Sequence, residues 1–110
     1  LGSLMAKHKI SIARDFTRTP GARYYADGPF SGQEFREKIL EKAFNNTENS
    51  EIEVDLSGTD GYPTSFLEEA FGGLVRKHGL IAVKSRMTFI CNDDPFIIPE
   101  IEEYMNAAEQ

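Results

Sequence analysis

Apolar and polar residues alternate most strictly in segment 51–56. The apolar side chains there are Ile52, Val54 and Leu56, and the polar ones are Glu51, Glu53 and Asp55. A period of two predicts a β-strand with one face buried and the other in water. Shorter β-prone runs at 10–16, 23–26 and 86–91 predict further strands. The turn signal at 19–21 predicts that the first two of these form a hairpin.

Three segments carry apolar residues at helical spacing, and they predict three main helices. The apolar stripes are Phe35, Ile39, Leu40, Ala43 and Phe44; then Leu67, Phe71, Leu74 and Val75; then Ile101, Tyr104, Met105 and Ala108. Ser31 and Glu34 have the spacing of a capping box at the start of the first helix, where Phe30 and Phe35 would form a hydrophobic staple. Gly79 predicts the end of the second helix.

The predicted elements follow one another in the order β-β-α-β-α-β-α. Strand-helix-strand alternation favours parallel pairing, and the hairpin would add an antiparallel edge. We therefore expect an α/β fold with a mixed, mostly parallel sheet of about four strands, an N-terminal hairpin and three main helices. The length of 110 residues suits a single domain. We place it at 5–110 and interpret 1–4, ahead of Met5, as a cloning remnant.

Composition narrows the class of protein. The net charge is −6 without a long Lys/Arg cluster, which argues against a nucleic-acid partner. No apolar run approaches the roughly 20 residues of a membrane span, and no export signal is visible. Cys91 is the single cysteine, so an intramolecular disulfide is excluded. These features predict a cytoplasmic protein without a membrane partner.

The sequence offers little for catalysis. Cys91 with His8 or His78 would be a nucleophile and its base, but Cys91 ends an apolar strand and His78 ends an amphipathic helix. We therefore expect no enzyme, with a hydrolase that uses Cys91 as the least favoured alternative.

Metal and cofactor sites are not predicted either. Segment 55–66 superficially resembles the opening of a calcium loop, yet its twelfth position is Phe66 instead of a bidentate glutamate. No Cys/His pair has zinc spacing.

Segment 55–74 is the most informative part of the chain. It predicts a strand that ends at a carboxylate, a glycine-bearing polar loop, and a helix that begins near Thr64 and Ser65. A phosphate on either hydroxyl would gain from the helix dipole and from free N–H groups. A purely structural alternative is that Ser65 and Glu68 form a capping box.

The same segment resembles the STAS superfamily, the domain of anti-sigma factor antagonists and sulfate-transporter tails. Those proteins carry Asp-Leu-Ser at a strand end and Asp-Ser-Ser-Gly-Leu at the following helix start. Here Asp55-Leu56-Ser57 matches the first motif, and Pro63-Thr64-Ser65-Phe66-Leu67 falls on the second. Ser65 aligns with the serine that cognate kinases phosphorylate, whereas proline and phenylalanine replace the aspartate and glycine. Segments 14–16, 28–32 and 64–74 are similar to bacterial STAS-like proteins without an assigned function.

The resemblance implies a non-enzymatic regulatory or protein-interaction module, phospho-regulated at the start of helix two. It implies a protein partner, with an ATPase of the histidine-kinase type as the family's usual one. The candidate partner-binding or phosphoacceptor residues are Ser65, Thr64, Asp60, Tyr62 and Ser57, with all but Ser57 on an exposed rim. The alternative is a domain that binds a small ligand or nucleotide, with Arg14, Arg18 and Arg23 as anion contacts.

The glycine pair Gly72-Gly73 lies inside the second predicted helix. Two glycines there cost roughly 1–2 kcal/mol relative to alanines. We therefore expect another backbone to approach this point closely, either within the domain or across an interface.

Overall fold

A computed structural model describes residues 7–109 and shows a parallel sheet of three strands in the order β1-β2-β3. The strands are β1 (Lys7–Ser11), β2 (Glu51–Asp55) and β3 (Met87–Ile90). The central strand β2 pairs in parallel with both neighbours. The predicted cloning remnant at 1–4 lies outside the described residues.

Helices connect and cover these strands. Following chain order, α1 is Ile12–Asp15, α2 spans 32–45, α3 spans 64–78, α4 is Leu80–Arg86 and α5 is Ile97–Ala108. Both long helices widen to a π-helical turn in the middle, at Arg36–Leu40 in α2 and at Glu68–Gly72 in α3. The three predicted main helices correspond to α2, α3 and α5, whereas the short α1 and α4 were not predicted.

The alternation predicted for β2 is confirmed. Ile52, Val54 and the following Leu56 are buried, while Glu51 and Glu53 are partly exposed. The buried face packs against the helices, and the open face carries charges such as the pair between Lys7 and Glu53 at 2.8 Å. An open face of this kind fits a sheet covered on one side.

The predicted hairpin is wrong for the described residues, and with it the antiparallel fourth strand. Tyr25–Asp27 is a 3₁₀ turn. The carbonyls of Ala22 and Arg23 accept hydrogen bonds from the Gly32 and Gln33 N–H groups at the start of α2. These carbonyls therefore bond to the free N–H groups at a helix start. They are not available for the hydrogen bonds that a second strand of a hairpin would need. The observed order is β-α-α-β-α-α-β-α.

The start of α2 follows the predicted cap only in part. The Ser31 hydroxyl accepts from the Glu34 N–H at 3.0 Å, as expected. The Glu34 carboxylate accepts from the Phe30 N–H instead of that of Ser31. Phe30 and Phe35 both pack on Phe16, with ring centroids 5.4 and 5.3 Å away. The staple therefore includes a third aromatic ring from the preceding loop.

The two long helices are in close contact at their first turns. A Cβ atom on Gly32 would lie 2.5 Å from the carbonyl oxygen of Phe66. Phe66 itself is fully buried, and its ring stacks on that of Phe35 with the two ring centroids 5.9 Å apart. The start of α3 is thus fixed against the core through Gly32 and Phe66. Within 7–109 no helix is both long enough and apolar enough to span a membrane.

Candidate functional site

The loop between β2 and α3 leaves the sheet at the carboxyl end of its central strand. The Asp55 carboxylate accepts from the Ser57 N–H at 2.9 Å and so closes a tight turn. Gly58 and Gly61 have φ angles of 91° and 122°, a region that glycine adopts at little cost. The loop therefore has a defined course up to the helix.

Ser57 ties this loop to the segment that follows β3. Its hydroxyl accepts from the Asn92 N–H at 2.8 Å, and the Asp93 carboxylate accepts from the Gly58 N–H at 2.8 Å. The hydrogen bond from the Gly58 N–H is the main cause that holds the pKa of the Asp93 carboxyl below its ordinary value. The contacts of Ser57 give it a structural role in the loop.

Tyr62 is half-buried, which corrects its predicted place on an exposed rim. Its hydroxyl donates to the Leu56 carbonyl at 2.8 Å, and its ring lies 5.7 Å from that of Phe66. Burial raises the pKa of Tyr62 well above its ordinary value. Beside it, an open cleft of about 230 Å³ includes Asp60, Asp93 and Asp94 in its wall.

Thr64 and Ser65 form the first turn of α3. Pro63 is the N-cap residue, and no side chain caps this helix end. The Pro63 carbonyl accepts from the N–H groups of Phe66 and Leu67, so the N–H groups of Thr64 and Ser65 precede the first helical hydrogen bonds. Thr64 is exposed and Ser65 partly exposed. Neither hydroxyl has a hydrogen-bond partner in the described part of the chain.

The capping box between Ser65 and Glu68 is not formed. The Glu68 carboxylate is instead bound by Arg76 at 2.6 Å and by Arg23 from the loop before α2. The hydrogen bond from Arg76 is the main cause that lowers the pKa of Glu68, and Arg23 adds to it. Glu68 is therefore turned away from the helix start, and the first N–H groups and hydroxyls there have no partner in the part of the chain that the structure describes.

Gly72 explains how Glu68 and Arg76 can meet. The three residues lie four apart along α3, and a Cβ on Gly72 would lie 2.6 Å from Glu68 Oε2 and 3.4 Å from Arg76 Nη1. The missing side chain opens a gap in the helix surface, and the ion pair occupies it. This spacing is the sequence signal that could have predicted the pair.

Gly73 gives similar room to Arg36. A Cβ at Gly73 would lie 2.7 Å from Arg36 Nε. The guanidinium binds Glu41 at 2.7 Å and Glu69 at 2.8 Å, and both glutamate residues are only 7% exposed. The close approach predicted at the glycine pair is thus made by side chains of the same domain, whereas a second backbone was expected.

The three arginines proposed as anion contacts are not in equivalent positions. Arg14 pairs with Asp15 at 3.1 Å, and Arg23 pairs with Glu68 and Glu69. Arg18 is exposed and has no ion-pair partner among residues 7–109; its carbonyl accepts from the Asp60 N–H at 2.8 Å. One predicted cation therefore lies beside the loop with an unpaired side chain.

Cys91 lies in the wall of the cleft, 3.4 Å from an oxygen of Asp93. Burial, followed by that hydrogen bond, raises the pKa of its thiol. His8 belongs to β1, at the opposite edge of the sheet from β3. His78 packs on the Phe44 ring at 4.6 Å, and its buried Nε2 has no hydrogen-bond partner among residues 7–109. No cluster of metal-ligating side chains occurs in the range 7–109.

Comparison with protein families identifies the family of this chain. The family described as STAS-like domain of unknown function (DUF4325) covers residues 31–95, more than half of the chain. The chain therefore belongs to this STAS-like family, as its sequence motifs predicted. Neither the curated proteins nor the solved structures contain a match.

Proposed function

We propose that this protein is a non-enzymatic regulatory module that binds a protein partner around the start of α3, and that negative charge at Ser65 controls the binding. The observation that carries the proposal is the open first turn of α3, where two hydroxyls and two N–H groups have no partner among residues 7–109. By family resemblance, the partner would be an ATPase of the histidine-kinase type.

Phosphorylation at Ser65 is compatible with the local structure. A helix N-terminus stabilises an anion, so the fold would tolerate the modification. The phosphate would add about −1.5 to −2 charges next to the loop that carries Asp60. An acidic partner surface would then be repelled, which is the physical basis of the switch.

The surroundings of the site favour a rigid binding surface. Phe66 is buried directly after Ser65, and Gly32 packs on its backbone. A surface that is fixed before binding loses little conformational entropy when the partner docks. Ser65 and Thr64 would therefore contact a partner without rearrangement of α3.

The contacts of the arginines favour a protein partner over a nucleotide. Arg14 and Arg23 are neutralised by carboxylates, so that among residues 7–109 only Arg18 of the three stays unpaired, and three aspartates line the nearby cleft. Such a cleft repels phosphates. Titration with nucleotides in a thermal-shift assay tests this alternative, for which an increase in Tm at millimolar ligand would be the supporting result.

The experiment for the proposal is a quantitative affinity capture from the native host with Ser65→Asp and Ser65→Asn. The asparagine variant controls for the loss of the hydroxyl, and Ser85→Asp adds the same charge at an exposed serine on α4. We expect a partner that Ser65→Asp loses and that Ser65→Asn and Ser85→Asp retain. Equal capture by Ser65→Asp and Ser65→Asn would disprove control by charge.

A further inference from the structure

Strand β1 is an edge of the sheet, and its outer backbone groups are orientated for pairing. The Ser11 N–H donates to the Asp15 carboxylate at 2.8 Å and so points away from β2. Successive N–H groups of a strand alternate between its two edges, so those of Lys9 and Lys7 share this outward direction. Within the described part of the chain nothing pairs with this edge.

A groove of about 510 Å³ lies beside the same edge, between β1 and α2. Ile10, Ile39 and Ala43 provide its apolar surface, and its cations include Lys9 and Lys42. These two lysines have no ion-pair partner among residues 7–109. In a chain with a net charge of −6, this groove is a local cationic surface.

Strand β2, which pairs with the inner edge of β1, shows which kind of strand β1 accepts as a neighbour. There β2 alternates carboxylates with aliphatic side chains, and its Glu53 binds Lys7 at 2.8 Å. Side chains of a strand project to the two faces of the sheet and not to its edges. A strand added at the outer edge of β1 would therefore lie beside the same alternating side chains of β1 that β2 lies beside. Carboxylates would lie beside Lys7 and Lys9 on the open face, and aliphatic side chains would face the groove.

We propose that the outer edge of β1 binds an extended segment of a partner protein in which acidic and aliphatic residues alternate. Backbone pairing at an exposed edge would give the affinity, and the side-chain alternation would give the specificity. Pairing between β1 strands of two copies is disfavoured, because it would bring the rows of Lys7 and Lys9 together. This surface is independent of the site at α3.

The test uses a capped peptide with the sequence of residues 51–56, and a second one with lysine in place of each acidic residue. Binding is followed by ¹H–¹⁵N NMR and by fluorescence anisotropy at low and high salt. We expect the acidic peptide alone to bind, with shifts and amide protection at Lys7 and Lys9, and with weaker binding at high salt. Equal binding of the two peptides, or no binding at millimolar concentration, would overturn the proposal.

Two substitutions that reverse an exposed charge, together with one control substitution, show where on the protein the peptide binds. Lys9→Glu should weaken binding about tenfold, since it replaces an attraction to the peptide's carboxylates by a repulsion. Lys42→Glu places a carboxylate on the groove side, where the aliphatic side chains would lie, and should weaken binding less. Lys84→Glu makes the same change near the other edge strand, β3, and should leave the affinity unchanged. Chemical-shift changes centred on Thr88 and Ile90 instead of β1 would contradict the assignment.

Discussion

Glu68 binds Arg76 across Gly72, and this contact turns the carboxylate away from the first turn of its own helix. Had Glu68 folded back as the N3 residue of a capping box, the helix start would be closed by its own side chains. The long-range contact with Arg23 holds the same carboxylate from the other side. An ion-pair network thus leaves the turn at Thr64 and Ser65 open.

Alanine substitution of the two glycines in α3 should have unequal effects. Gly73→Ala places a Cβ against Arg36, which is fixed by two carboxylates, and should cost about 1–3 kcal/mol of unfolding free energy. Gly72→Ala displaces the partly exposed pair of Glu68 and Arg76, a loss of up to about 1 kcal/mol that the gain of roughly 1 kcal/mol in helix propensity offsets, so it should be nearly neutral. Urea denaturation measures both, and equal losses would contradict the network geometry.

Gly32→Ala should be more damaging than alanine at either glycine of α3. Its Cβ would lie 2.5 Å from the Phe66 carbonyl, a backbone atom that cannot retreat without moving α3. We expect a loss at the upper end of the about 1–3 kcal/mol typical of overpacking. A loss smaller than that of Gly73→Ala in the same denaturation series would contradict this account.

Arg36→Met should strongly destabilise the fold, because it leaves Glu41 and Glu69 buried without their shared cation. Removal of one partner from a buried ion pair typically costs about 3–5 kcal/mol. Lys38→Met is the matched control in the same helix. Its pair with Glu34 is exposed, so the change should stay within about 1 kcal/mol.

Stability should fall in acid through the same network. Burial opposes ionisation of Glu41, but hydrogen bonds from Lys77 and Arg36 outweigh it, and its pKa lies below the ordinary 4.5. A lowered carboxyl pKa stabilises the fold above the unfolded value, and this contribution is lost as pH falls through the folded pKa. Denaturation curves of the parent and Glu41→Gln should therefore differ at neutral pH and converge below 4.5. A difference independent of pH would contradict this assignment.

The Cys91 thiol should react slowly with a disulfide reagent at neutral pH. Its pKa is raised by burial and by Asp93, so the reactive thiolate is scarce. Alkylation or disulfide exchange slower than that of a free model thiol is the expected result. A faster reaction than the model thiol would favour the hydrolase alternative.

The parts of the fold that local patterns determine were predicted well. The alternation of β2 and the stripes of the long helices depend on burial of one face, which sequence periodicity records directly. The predicted hairpin was wrong because the carbonyls of Ala22 and Arg23 accept hydrogen bonds from the start of α2, ten residues further along the chain. β-propensity alone does not reveal such a competing partner.

In the candidate site, too, local sequence predicted some features, and tertiary contacts determined the others. Thr64 and Ser65 lie at the helix start that the sequence predicted. Arg23 lies 45 residues before Glu68 in sequence, so no local pattern shows that the two would pair. Tyr62 was expected on the surface, but its hydroxyl reaches the Leu56 carbonyl and its ring joins the core. Tertiary contacts thus decided which side chains remain available to a partner.

The central claim is that negative charge at Ser65 controls partner binding while the fold persists. The most direct measurement is the Kd of the captured partner for protein carrying phosphoserine at position 65, compared with parent protein and Ser65→Asn. We predict an unchanged Tm and an affinity at least about tenfold weaker for the phosphorylated form alone. Equal affinities of the three proteins would contradict the account.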